Sequence, residues 1–117
     1  MKRFAKYSLP LALIALSSGI VHSEELPKVK IAWSIYVGSM PLGYAQDTGI
    51  LRKWGKKYGV DLEAVQVNDY VEGINQYTTG QFDGVITMVL DALTIPAASG
   101  VDTSMPILLS NSLGNDG

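Results

Sequence analysis

From Lys28 onward the chain changes its hydrophobic period three times, each time from short apolar runs to helical spacing. Residues 29–33 (VKIAW) form a first apolar run. After a loop over residues 34–40, Pro41 stands where helices accept proline, in a first turn. Ile50, Leu51, Trp54 and Tyr58 then recur at helical spacing, with Arg52, Lys53, Lys56 and Lys57 on the opposite face. Gly49 is placed to bend this helical stretch and Gly59 to end it.

The second unit opens with a strand over residues 62–67 and a turn at Asn68, Asp69 and Tyr70. Asp69 followed by Glu72 has capping-box spacing, which starts a helix burying Val71, Ile74 and Tyr77 and closing at Gly80. In the third unit residues 84–89 are apolar apart from Thr87, as in a strand covered on both faces. A helix over residues 90–99 follows; Pro96 falls inside it and should kink or shorten it. Residues 107–109 read as a fourth strand. Strand–helix alternation at this spacing predicts an α/β fold, a parallel sheet with helices on both faces. In such sheets ligands sit beyond the carboxyl ends of the strands. The loops that converge there are 34–40, 68–70 and 88–91, with 110–117 after the fourth strand.

The first 23 residues belong to a different category. Lys2, Arg3 and Lys6 precede an apolar stretch over residues 9–21, and Val21-His22-Ser23 offers the small residues a signal peptidase accepts. Pro10, Ser17 and Ser18 interrupt the run, which is short for a membrane span. Residues 1–23 thus read as a signal peptide, with export to the periplasm. The remaining segment, residues 24–117, carries six basic residues (Lys28, Lys30, Arg52, Lys53, Lys56, Lys57) against eleven acidic ones, a net charge of −5. That balance argues against nucleic acid, whose binding rests on neutralising phosphates. The chain has no cysteine, so a core and not disulfides must hold it.

The only histidine, His22, lies in the leader. Without His or Cys the exported segment cannot build Ser–His or Cys–His nucleophiles or the usual zinc sites, and no metal or cofactor site is expected. No Walker loop or dinucleotide fingerprint is present. Carboxylates near the working edge are Asp69, Asp91 and Asp116, of which Asp69 and Asp91 also read as helix caps. The strand-end loops hold acceptors, hydroxyls and aromatic rings but no Lys or Arg. They suit a small neutral polar ligand that donates hydrogen bonds better than a phosphate or sulfonate, although helix N-termini alone can hold anions.

The segments KVKIAWSIYVGSMPLGYAQDTGIL and VQVNDYVEGINQYTTGQFDGVITMVLDALTIPAASGVD, with the closing NDG, resemble the first lobe of periplasmic substrate-binding proteins. The likeness is to those of nitrate/sulfonate/taurine-type ABC transporters, and within them to the urea-transporter branch associated with urea carboxylase. It covers almost all of residues 27–103; residues 104–113 (SMPILLSNSL) match less well. The resemblance implies a two-lobed (type II) α/β binding protein, not an enzyme. Such a protein closes on a small polar solute, urea or a related amide, and hands it to an ABC permease in the inner membrane. It places Trp33, Tyr36, Asn68, Asp69, Thr87 and Asp91 on ligand-facing segments. Residues 24–117 are then the N-terminal part of the substrate-binding domain, without the second lobe, so that the chain reads as a fragment or a truncated product. Two other classes stay open. One is an enzyme like the thiamine-pyrimidine synthase relatives on this fold, which need a histidine and a lysine in the pocket. The other is a ligand-sensing module of a receptor.

Overall fold

The structure is a computed structural model that describes residues 25–111. The signal peptide expected over residues 1–23, and Asp116, lie outside the described residues. Seven elements follow in order: β1 (Lys28–Trp33), α1 (Met40–Asp47), α2 (Ile50–Tyr58), β2 (Asp61–Gln66), α3 (Tyr70–Thr78), β3 (Gly84–Val85) and α4 (Val89–Ala98). The strands form one parallel sheet in the order β2-β1-β3, with Lys28 opposite Asp61, Trp33 opposite Gln66 and Ala32 opposite Val85. The α/β class and the parallel sheet expected from the period changes are therefore present.

Helices cover both faces. Alternation along a strand puts Ile31 and Trp33 on one face and Ala32 on the other. On the Trp33 face α1 passes so close that a Cβ added to Gly43 would stand 2.6 Å from Trp33 Cζ2 and Cη2. Gly55 likewise sets α2 down on the turn into β2, with Val60 O and Leu62 beneath it. On the Ala32 face lies α3, whose Ile74 is fully buried and whose Gly73 meets Val67. The core is small: Ala32, Trp33, Ala64, Ile74 and Ala92 are its buried apolar side chains among the described residues.

Side chains finish the sheet where the ladder stops. Gln46 Oε1 accepts from Ala64 N across 2.9 Å, which occupies a donor on an outer strand. Asp83 Oδ2 accepts from Lys30 N at 2.8 Å, just before β3 begins. Lys28 and Glu63 pair at 2.8 Å on the exposed amino-terminal half of the sheet. Gly59 ends α2 in the left-handed region (φ 72°), a conformation a side chain would strain.

Four expectations need correction. First, β2 runs one residue earlier than residues 62–67. Second, β3 is only two residues long, where a strand over 84–89 was expected. Ile86 N still donates to Ala32 O (2.9 Å), but the Met88 N–H is taken by the Tyr70 hydroxyl (2.9 Å), and α4 starts at Val89. Third, residues 107–109 form no strand; Ile107, Leu108 and Leu109 are exposed. Fourth, the buried faces of two helices differ from the apolar pattern. Val71, in the first turn of α3, is half exposed. Trp54 and Tyr58 are also exposed, stacked on each other at 6.2 Å, while α2 turns Gly55 inward. Pro96 stays inside α4, fully buried, and the helix ends two residues after it.

Candidate functional site

The strand order itself locates a crevice. From β1 the chain crosses to β2 on one side, with α1 and α2 over the Trp33 face. The return from β2 to β3, on the other side of β1, carries α3 over the Ala32 face. The loops leaving β1 and β3 consequently part in opposite directions, and an opening forms between their carboxyl ends. Its walls are residues 34–39, residues 86–88 and the 67–70 turn. Between them lies a shallow depression lined by Ala32, Ser34, Val67, Asp69, Tyr70 and Val85, too tight to admit a water molecule. A wider polar hollow of about 170 Å³ sits away from it, by the amino ends of β1 and β2, lined by Lys28, Gln46, Arg52, Asp61 and Glu63.

The β1–α1 loop is held by Ser39. Its side chain is 2 % exposed, and its Oγ donates toward the carbonyls of Ser34 and Tyr36. The Tyr36 carbonyl also accepts from the backbone N–H groups of Ser39 and Met40. One buried hydroxyl thus folds the glycine-containing path that follows Trp33.

The opposite wall is organised by Tyr70. Its hydroxyl donates to Asp91 Oδ2 at 2.6 Å, accepts the Met88 N–H at 2.9 Å and lies 2.8 Å from Thr87 Oγ1. An ionised carboxylate can only accept, so the single phenolic proton goes to Asp91. Thr87 is then the donor in its contact with Tyr70. The other acceptor within reach of Thr87, the Met88 carbonyl, is 3.5 Å away and much the weaker. Burial, and next the hydrogen bond to Asp91, push the Tyr70 phenol above its ordinary pKa.

The six residues expected at the site fare differently. Thr87 and Asp91 meet through Tyr70, and Asp91 does not cap α4. Asp69 is the N-cap of α3, its Oδ1 accepting from Glu72 N at 2.9 Å, while the Glu72 carboxylate accepts from Gln76. Asn68 Oδ1 accepts from Gln66 Nε2 at 2.7 Å. Trp33 is 8 % exposed, its ring packed under α1 at the base of the crevice. Tyr36 lies half exposed on the β1–α1 loop. The residue that sequence reasoning missed is Tyr70. Its position directly after a capping aspartate, at the carboxyl end of a strand, was the available signal. Nothing in the sequence paired it with residues 17 to 21 positions later.

Among the described residues no group of three His, Cys, Asp or Glu side chains could hold a metal ion, and no helix is long and apolar enough to cross a membrane. Comparison of the chain with protein-family models, with curated proteins and with solved structures gives no match.

Proposed function

We propose that this chain carries the first lobe of the solute-binding component of an ABC importer. In this reading it is exported to the periplasm, where it captures urea or a related small amide and presents it to the inner-membrane permease. The observation that carries the reading is the crevice between the carboxyl ends of β1 and β3. Its walls offer the oxygens of Asp69 and Thr87, and they contain no Lys or Arg. A neutral solute rich in N–H groups finds acceptors there, whereas nitrate or a sulfonate would find no cation. The resemblance of residues 27–103 to the urea-transporter branch points the same way. Binding, not catalysis, suits an exported segment without His or Cys.

Urea has little apolar surface, so its affinity must come from hydrogen bonds made where water is kept out. One lobe leaves the strand ends facing solvent, and a second lobe closing over them would exclude that water. Calorimetric titration of a two-lobed relative and of the 117-residue chain with urea, taurine and nitrate tests the proposal. The two-lobed protein should prefer urea, and the single lobe should bind it weakly or undetectably. Tight binding of taurine or nitrate by the two-lobed protein would rule out the urea assignment, and tight binding of any of the three by the single lobe would rule out the two-lobe requirement.

A further inference from the structure

We propose that α2 is a membrane-contact helix: Lys53, Lys56 and Lys57, with the stacked Trp54–Tyr58 pair, seat the lobe on an anionic phospholipid surface. The inference does not depend on what the crevice binds.

Charge comes first. Four of the six Lys and Arg in residues 24–117 fall within residues 52–57, and α2 contains no Asp or Glu. Outside that run the same segment carries two basic residues against eleven acidic ones. The helix is thus a cationic ridge on an acidic body. All four side chains are exposed, and the one ion pair among the described residues, Lys28–Glu63, involves none of them. Arg52 borders the polar hollow that also holds Asp61 and Glu63, which offset its charge; the three lysines are not part of that lining.

A solvated helix face needs only the cations, but α2 exposes aromatic residues beside them. At 3.6 residues per turn, Gly55 faces inward on Val60 and Leu62. Arg52, Lys56 and Lys53 then take one side of the outward arc, and Ile50, Trp54 and Tyr58 take the other. Lys57 stands at the seam, its Nζ 4.6 Å from the Trp54 ring centre and 5.6 Å from that of Tyr58. Ile50, Trp54 and Tyr58 are all exposed.

Rings with one polar atom each, next to ammonium groups on long apolar stems, match the headgroup layer of a bilayer. The rings lie at the boundary with the acyl chains, and the lysines reach the phosphates. An acidic protein would satisfy the lysines too. However, neither the crevice nor the polar hollow includes them or the two rings, so no concavity described above fixes a partner's shape. A planar, fluid array of phosphates needs none. Because α2 leads through Gly59 into the start of β2, the ridge lies toward the amino ends of the strands. Docking there leaves the crevice at the carboxyl ends open. Each cation near such a surface tightens binding about fivefold, so the three lysines together contribute roughly a hundredfold, reduced by salt.

The test is quenching of tryptophan emission by vesicles with brominated acyl chains, using the 117-residue chain. Vesicles of equimolar phosphatidylglycerol and phosphatidylcholine should quench the wild type at low salt. They should not quench Trp54→Phe, whose remaining Trp33 is buried. Pure phosphatidylcholine, or high salt, should abolish the effect. Lys53→Gln combined with Lys56→Gln leaves the Lys57–Trp54 contact in place and should raise the lipid concentration for half-quenching about 25-fold. Vesicle binding without quenching, as the cations and apolar run of residues 1–23 would give by themselves, would overturn the inference. So would quenching that persists in Trp54→Phe, equal quenching by neutral vesicles, or a double variant that binds like wild type. Trp54 emission that responds to polyglutamate and not to vesicles would replace the membrane with an acidic protein partner. The importer reading is judged separately, by calorimetry on the two-lobed relative.

Discussion

The Tyr70 hydroxyl lies 2.6 Å from Asp91 Oδ2, joining the first residue of α3 to the first turn of α4. Through Met88 and Thr87 the same hydroxyl also fixes the loop that leaves β3. Charge-assisted hydrogen bonds of this kind are stronger than neutral ones. Removing the hydroxyl in Tyr70→Phe also leaves the Met88 N–H without its partner. The substitution should destabilise the fold by about 1–3 kcal/mol, the usual cost of a charge-assisted bond with a stranded donor. Guanidinium-induced unfolding followed by circular dichroism measures this; an unchanged midpoint would show that the network adds nothing to stability.

The same hydroxyl makes stability depend on alkaline pH. Burial and the bond to Asp91 raise the folded-state pKa of Tyr70 above the value in the unfolded chain. The folded state then holds the phenolic proton more tightly, and this stabilisation is complete below the ordinary tyrosine pKa. As pH rises from there through the folded-state value, the unfolded chain loses its proton first and the stabilisation disappears. Thermal melts across this alkaline window should show a decline in wild type that is smaller in Tyr70→Phe. Identical pH dependence in the two proteins would place the phenol in an unperturbed environment.

Gly43 and Trp33 define the contact that lets α1 close on the sheet. A Cβ at residue 43 would sit 2.6 Å from two carbons of a rigid ring that is itself packed in the core, so neither partner can yield cheaply. Gly43→Ala should cost about 1–3 kcal/mol, the range for overpacking a filled core, despite the better helix propensity of alanine. Near-ultraviolet circular dichroism should register a changed Trp33 environment. A Gly43→Ala protein as stable as wild type, with the same spectrum, would show that α1 is not held at this distance.

How much of this was legible in the sequence follows from where the controlling contacts lie. Elements set by local periodicity and local chemistry were readable: β1 from its apolar run, α3 from Asp69 and Glu72, the end of α2 from Gly59. The length of β3 was not: beyond Ile86 its partner β1 has ended, and the Met88 N–H goes to the Tyr70 hydroxyl, 18 residues away, instead of to a ladder. The apolar run 84–89 carries no trace of that competition. The same holds at the site. Thr87 and Asp91 were singled out from their loop, but the tyrosine joining them was passed over as part of a turn. Trp33 was placed on a ligand-facing segment at the end of its strand, and only the missing Cβ of Gly43 explains why its ring sinks under α1.

The two tryptophans provide a direct test of the geometry around the crevice. Trp33 is 8 % exposed at the base of the crevice, and Trp54 is 43 % exposed on α2, stacked on Tyr58 with Lys57 Nζ 4.6 Å from its ring centre. Acrylamide should therefore quench Trp54 strongly and Trp33 weakly, so that Trp54→Phe leaves an emission that is blue-shifted and protected. In a two-lobed protein carrying this lobe, a solute held between β1 and β3 alters the surroundings of Trp33, whereas α2 stays outside the closing cleft. Urea should then change the emission of the Trp54→Phe protein and leave that of Trp33→Phe unchanged. The reverse pattern, with the signal lost in Trp54→Phe and kept in Trp33→Phe, would move the solute site away from the strand ends and toward the exposed face of α2.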